Sequence, residues 1–283
     1  MIERIFIPTV HRVDNQITFN HLPVALRSKV SFVVQAWERP RYMYDCDYVI
    51  LPDTPEYHFS DYYCLPRTRK FIYDLGQNMK YCVLDDDIFF SRRNVKYFGE
   101  ASNMERSRQV LTDDETIDMF NIFDKWLDDV TVCGCAQIQN PPAGVKIREN
   151  GSLTSAYWIN GTHFKDDLPK MDLTSVRVGE DVAFLLSLLT RGYKNRISEE
   201  YVLSNYSVMT KKMKSTVWDE QTYEDTQRDH KLLEKMFPGL FVIQYDQNGN
   251  REEGGYRNFG KSKINWNKAY KYRNNLSEFF IND

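Results

Sequence analysis

The stretch Lys80–Phe90, KYCVLDDDIFF, runs from a short apolar segment straight into Asp85, Asp86 and Asp87. Three adjacent carboxylates repel one another, and a cation placed among them offsets that repulsion. All-oxygen ligands suit a hard divalent ion, Mg²⁺ or Mn²⁺. An ion held by only two or three carboxylates keeps open positions that substrate phosphate oxygens can fill. The pattern therefore points to chemistry on a nucleotide or a nucleotide-sugar. Taken alone, the triplet also suits a solvated turn after a strand, where Asp is common.

A second stretch, Val178–Arg196 (VGEDVAFLLSLLTRGYKNR), sets Glu180 and Asp181 at the start of an apolar helix. The helix dipole and the free N–H groups there favour negative charge. A carboxylate so placed is expected to stay ionised at neutral pH and to act as a base toward a hydroxyl within reach. An acidic helix cap is the plainer reading of this pair.

The elements around these residues can be read from apolar runs and their terminators. Arg4–Pro8, Lys29–Ala36, Asp47–Leu51 and Lys80–Leu84 read as strands. Tyr62–Leu75 reads as a helix closed by Gly76. Thr112 and Glu115 form a capping-box pattern ahead of a helix with apolar residues every three to four positions. Thr131–Ile138 and Leu153–Ile159 read as strands on either side of a polar loop, Gln139–Ser152. After the Asp181–Thr190 helix come a short strand (Tyr193–Ile197), a polar loop (Ser204–Gln221), a helix (Tyr223–Phe237) and a strand (Leu240–Gln244). Strands alternating with helices imply an α/β fold with a mixed, mostly parallel sheet flanked by helices. Ligands of such sheets bind at the carboxyl ends of the strands, where Asp85–Asp87 and the segment Pro8–Arg12 both fall.

The 283 residues, 42% hydrophobic and 14% aromatic, suffice for one large domain. We read residues 1–245 as a catalytic domain and 246–283 as a basic and aromatic C-terminal extension. No apolar run is long enough to span a bilayer, and the N-terminus lacks a secretory pattern, so the expected compartment is the cytoplasm. The five cysteines match no zinc spacing; Cys133 and Cys135 alternate within a strand and should share one face as reduced packing residues. The net charge of −3 argues against a general polyanion binder. Between Arg251 and Arg273, however, seven basic residues are interleaved with Tyr256, Phe259, Trp266, Tyr270 and Tyr272. That mixture suits phosphate contact and stacking, or simply a terminal segment packed on the core.

In combination, a first strand ending in PTVHR, a strand-borne DDD and a G-E-D before an apolar helix ending in R-G-Y resemble the GT-A fold glycosyltransferases, especially the family-2-like group. The resemblance spans about Ile5 to Ile197. It implies a Rossmann-like GT-A sheet, a nucleotide-sugar donor (a UDP-sugar favoured) and an Mn²⁺ or Mg²⁺ cofactor. Carried over by position, Asp85 would lie near the donor ribose and the metal, and Asp87 would ligate the metal directly. Asp86 would be on the donor side, and Asp181, with Glu180 beside it, would be the base of an inverting transfer. Thr9 and Arg12 would contact the nucleotide. Arg67 would be the donor-side basic residue, with Arg69 as the alternative. His11 stands where Asn is more usual, the acceptor motif of processive members is missing, and His163 and His230 are candidates for a third metal ligand. Lys211, Lys212 and Lys214 could close over the diphosphate.

More loosely, FIPTVHR and KYCVLDDDI resemble phage-type glycosyltransferases that modify hydroxymethylated pyrimidines in DNA, including the TET-associated group. That resemblance implies a DNA acceptor, a host-cytoplasm location and aromatic stacking candidates in Tyr157, Trp158, Trp266 and Tyr270. Transfer to a cell-surface sugar, lipid or protein remains open. So do a retaining mechanism, a metal-dependent nucleotidyltransferase and a non-catalytic nucleotide-binding module. The absence of glycine from PTVHRVDNQ counts against the nucleotidyltransferase.

Overall fold

A computed structural model describes residues 1–93, 108–138, 145–205, 223–244 and 262–272. A ten-stranded sheet dominates, in the order β3-β2-β1-β4-β9-β7-β10-β5-β6, with β8 also paired to β10. The strands are β1 (Arg4–Pro8), β2 (Val30–Val34), β3 (Asp47–Ile50), β4 (Lys80–Leu84), β5 (Ile88–Arg93), β6 (Arg108–Val110), β7 (Val132–Gln137), β8 (Ile147–Glu149), β9 (Ala156–Asn160) and β10 (Asn195–Asn205). Seven of the ten run the same way; β5, β8 and β9 run against them. The expected α/β architecture is therefore present.

The strands form because their side chains alternate between two cores. Ile5, Ile7, Cys82, Leu84, Cys133, Cys135 and Trp158 point to one face, where they meet helix α1 (Ile17–His21) and the Met119, Phe120 and Phe123 stripe of α4 (Asp113–Trp126). Phe6, Tyr81, Val83, Val132, Tyr157 and Ile159 point to the other, against α3 (Cys64–Leu75) and α5 (Glu180–Thr190). The short α2 (Val24–Arg27) lies ahead of β2. Cys133 and Cys135 share a face, and all five cysteines are free. The capping box at Thr112 and Glu115 forms in both directions. Tyr157 and Trp158 are fully buried, so packing, not stacking on a ligand, is their role.

A third core lies on the outer side of α5. Ala183, Leu186 and Leu189 meet Leu233 and Phe237, from and just after α6 (Tyr223–Met236), Phe241 and Ile243 of β11 (Phe241–Ile243), and Ala269 of α7 (Trp266–Lys271). Strand β12 (Ser262–Ile264) pairs antiparallel with β11. Helix α5 is thus covered on both sides, which explains its apolar composition. Trp266 packs between two of the cores, and Tyr270 packs against the third. Among the described residues, no helix is long and apolar enough to cross a membrane.

Two expectations change, and one strand is added. The added strand is β5, after DDD, which pairs with β10 over a hundred residues away. Strand β8, Ile147–Glu149, lies inside the stretch expected as a polar loop, Gln139–Ser152. The short strand after α5 is instead eleven residues long, Asn195–Asn205, and binds β7, β5 and β8.

Candidate functional site

The crevice of an open α/β sheet lies where neighbouring strands connect in opposite directions along the sheet. Here β1 leads outward to β2 and β3 on one side, while β4 lies on its other side. The loops after β1 and β4 therefore meet, and they carry Thr9–Arg12 and Asp85–Asp87.

The Thr9 hydroxyl donates to Asp86 Oδ2 at 2.6 Å, and the Arg12 guanidinium donates to Asp86 Oδ1. Gln16 braces this corner, its amide donating to Thr9 Oγ1 at 2.8 Å and to the Arg12 carbonyl at 2.9 Å. Arg12 also lies 3.5 Å from Asp87 Oδ2. Asp87 Oδ1 accepts from Asn205 Nδ2 at 3.0 Å, at the end of β10. Burial pushes the Asp86 carboxyl up to about 7, against the opposing pull of Arg12 and Thr9. Thr9, Arg12, Asp86 and Asp87, expected at the site from sequence, are thus brought together.

Asp85 turns to another partner. Its Oδ1 accepts from Arg69 at 2.7 Å, and Arg69 Nε lies 3.4 Å from Glu180 Oε1. Arg69 is buried, with its guanidinium over the Tyr157 ring at 5.5 Å. Arg67, named first from sequence, faces elsewhere: it bonds Asp61 at 2.8 Å and the Glu56 carbonyl at 3.0 Å. Two positions along a helix are about 200° apart around its axis, so only one of the two arginines can face the sheet. The structure places Arg69 there.

Glu180 and Asp181 occupy the first turn of α5, after Gly179 at φ +91°. Asp181 Oδ1 accepts from the Val182 N–H at 2.8 Å, one of the unpaired amides of the helix start. Burial outweighs that donor, and both carboxyls are raised above their ordinary values; Glu180 is pushed up further by the charge of Asp181. Burial thus works against the helix start, which was expected to keep this pair ionised, and does so for both carboxyls. Loss of water costs them more than the dipole returns.

The rim is aromatic. His11 adopts a left-handed backbone, φ 59°, a region in which His is enriched among non-glycine residues. Its N–H donates to the buried Glu38 at 2.8 Å, and its ring packs on Phe59 at 4.4 Å and Trp37 at 5.4 Å. Trp37 and Phe59 are partly exposed.

The carboxylates suit a hard cation in kind, since every donor is oxygen. Among the described residues no three potential ligands converge on one point, so substrate oxygens would have to complete the shell. Neither histidine supplies a third ligand. His163 bonds Asn160 at 3.0 Å, beside the start of β4 and at the opposite end of that strand from DDD. His230 packs its ring on Phe241. Lys211, Lys212 and Lys214 lie outside the described residues.

Two contributors were not foreseen. Asn205 lay within a segment read as loop. Asp229 of α6 accepts the N–H groups of Arg177 and Val178, just ahead of Gly179. It shares a helix face with Thr226 and Leu233, all buried, and a charged residue in an otherwise buried stripe is the signal that could have revealed it. No protein-family model matches the chain, and no curated protein matches it in sequence.

Proposed function

We propose that this chain is a GT-A type glycosyltransferase that moves a sugar from a nucleotide-sugar, a UDP-sugar favoured, to an acceptor hydroxyl with inversion at the anomeric carbon. The observation that carries the reading is the bridge Asp85–Arg69–Glu180. It joins the DDD turn to the Glu180–Asp181 helix start at the carboxyl end of the sheet.

In this reading Thr9 and Arg12 orient the nucleotide, and His11, Trp37 and Phe59 offer flat surfaces for its base. Asp85 and Asp87 would hold Mn²⁺ or Mg²⁺ together with the donor diphosphate. When bound, that ion supplies positive charge to the leaving group. Asp181 takes the proton of the acceptor hydroxyl as its oxygen attacks the anomeric carbon. The bond from that carbon to the phosphate oxygen breaks, and the diphosphate leaves with the electron pair. Burial raises both carboxyls, and the Val182 N–H and the Arg69 charge favour the ionised form of Asp181. Arg69 holds charge next to both ends of the reaction.

The acceptor favoured is a hydroxymethylated pyrimidine in DNA, and it is proposed on the sequence resemblance alone. Salt-sensitive binding to such DNA, and transfer to it, separate this acceptor from a surface sugar, lipid or protein.

The donor reading is tested by thermal shift with UDP, GDP, CDP and their common sugars, each with Mn²⁺ and with EDTA. A ligand that binds only the folded chain raises its melting temperature. An Mn²⁺-dependent shift with one nucleotide is expected. No shift with any of them would reject the donor site.

A further inference from the structure

Asp229 sits on α6, 48 positions beyond Asp181 in sequence, and has no exposed surface. Its Oδ2 accepts three hydrogen bonds: from the N–H of Arg177 at 3.0 Å, the N–H of Val178 at 2.9 Å and the hydroxyl of Tyr62 at 2.9 Å. Its Oδ1 accepts from Arg228 Nε at 3.2 Å. The Arg177 and Arg228 guanidiniums lie over the Tyr62 ring at 4.6 and 4.5 Å. One turn further along α6, Leu233 closes on Gly179 so tightly that a Cβ there would come within 2.9 Å of Leu233 Cδ1.

Each of these contacts ends on a chain segment that leads into the site. Arg177, Val178 and Gly179 are the three residues before Glu180, and Tyr62 lies two residues before α3, the helix that carries Arg69. Arg69 and Glu180 then meet at 3.4 Å. One buried carboxylate thus fixes the starts of both helices whose charged side chains face each other. Charge-assisted hydrogen bonds of this kind are short and strong, and a buried N–H left without its acceptor is costly. Its partners at this buried position are two backbone amides, the tyrosine hydroxyl and Arg228.

We propose that Asp229 is a positioning residue: it holds the 177–179 turn, and through it sets the placement of Glu180 and Asp181 toward Arg69 and the acceptor. This inference rests on the reading of Glu180 and Asp181 as the acid–base pair. It assigns to α6, which contributes no group to the reaction, a defined part in its rate.

The test uses the full chain with Asp229→Asn, which keeps an acceptor and the side-chain size, and Tyr62→Phe, which removes one donor without stranding a charge. Asp181→Asn serves as the reference. Three quantities are measured: UDP affinity with Mn²⁺, the rate of UDP release from UDP-glucose, UDP-galactose and UDP-N-acetylglucosamine, and amide hydrogen exchange over residues 177–182. Asp229→Asn is expected to keep UDP affinity within about twofold, since misplacement of a group by about 1 Å acts on turnover, and to lower kcat by roughly 10–10²-fold. Exchange over 177–182 is expected to rise in Asp229→Asn, and to a lesser degree in Tyr62→Phe. A fold defect alone would lower affinity and raise exchange throughout the chain, and that pattern overturns the inference. So does unchanged exchange over 177–182 in Asp229→Asn, whatever the turnover. Full kcat in Asp229→Asn beside an inactive Asp181→Asn overturns it while leaving the acid–base reading in place. Wild-type turnover in Asp181→Asn instead overturns the acid–base reading, and the catalytic part of the inference with it.

Discussion

Arg69 donates to Asp85 at 2.7 Å while its Nε stands 3.4 Å from Glu180, so one buried guanidinium lies between two carboxyl groups from different parts of the chain. Removing one partner of a buried ion pair leaves the other charge uncompensated, which costs about 3–5 kcal/mol. Arg69→Met should therefore lower stability by that order in denaturant titration. Arg69→Lys should recover part of it, because a point charge reaches one carboxylate better than two. Arg67→Met, on the outer side of the same helix, should cost less than about 1 kcal/mol, as its partner Asp61 is part-exposed.

The two helix-start carboxyls should separate in a kinetic comparison. Asp181→Asn is expected to retain donor binding and to lose roughly 10²–10⁴-fold in turnover, the usual contribution of a positioned base. Near-normal turnover in that variant would reject the inverting assignment.

Stability should also respond to pH through Glu180. Its folded pKa, about 8, lies above the ordinary 4.5, so the folded chain holds this proton more tightly than the unfolded one. The contribution is complete below about pH 4.5 and is lost as pH rises toward and through about 8. Melting temperatures across that window should fall less steeply in Glu180→Gln than in the wild type. Equal slopes would mean that Glu180 is ionised in the folded chain.

Gly179 combines a left-handed backbone with a crowded Cβ position. Gly179→Ala should destabilise by about 1–3 kcal/mol, the usual cost of a side chain held in that region. Thermal melting gives the value. Leu233→Ala costs stability of its own, since Leu233 is fully buried, so the relief of crowding is read as the coupling in a double-mutant cycle.

Asp87→Ala should abolish the Mn²⁺-dependent part of UDP affinity measured by calorimetry. Asp87 already accepts from Asn205, so Asn205→Ala should weaken the same binding without removing it. UDP affinity in Asp87→Ala that still responds to Mn²⁺ would remove the metal role.

How much of this was legible depended on whether the determinants were local. Strand β4 and the capping box at Thr112 follow from neighbouring residues, and both form as expected. Arg67 and Arg69 were indistinguishable in sequence, because either could face the sheet until the rotation of α3 was fixed by Ile72 and Tyr73 entering the core. Strand β10 was cut short at Ile197 because SEEYVLSN reads as polar. Its glutamates pair with Arg148, Arg92 and Lys146, partners that lie far away in sequence. Asp229 stands out from Glu224 and Asp225 only by sharing a face with Thr226 and Leu233, a spacing whose meaning depends on which face of α6 is buried.

Strand β9 runs against both of its neighbours, so it begins where they end. Its first residues, and Ser155 ahead of them, stand over the carboxylates: the Asp85 N–H donates to the Ser155 carbonyl at 2.8 Å, and the Ser155 hydroxyl meets Asn205 at 3.3 Å. The residues just upstream of Ala156 are fixed as well: Leu153 is buried in the core, Gln137 donates to Thr154 Oγ1 at 2.7 Å, and Ser155 has φ 62°. The connection that enters β9 therefore belongs to the same framework as the carboxylates, and a shift at Ser155 reaches Asp85 through a single backbone hydrogen bond.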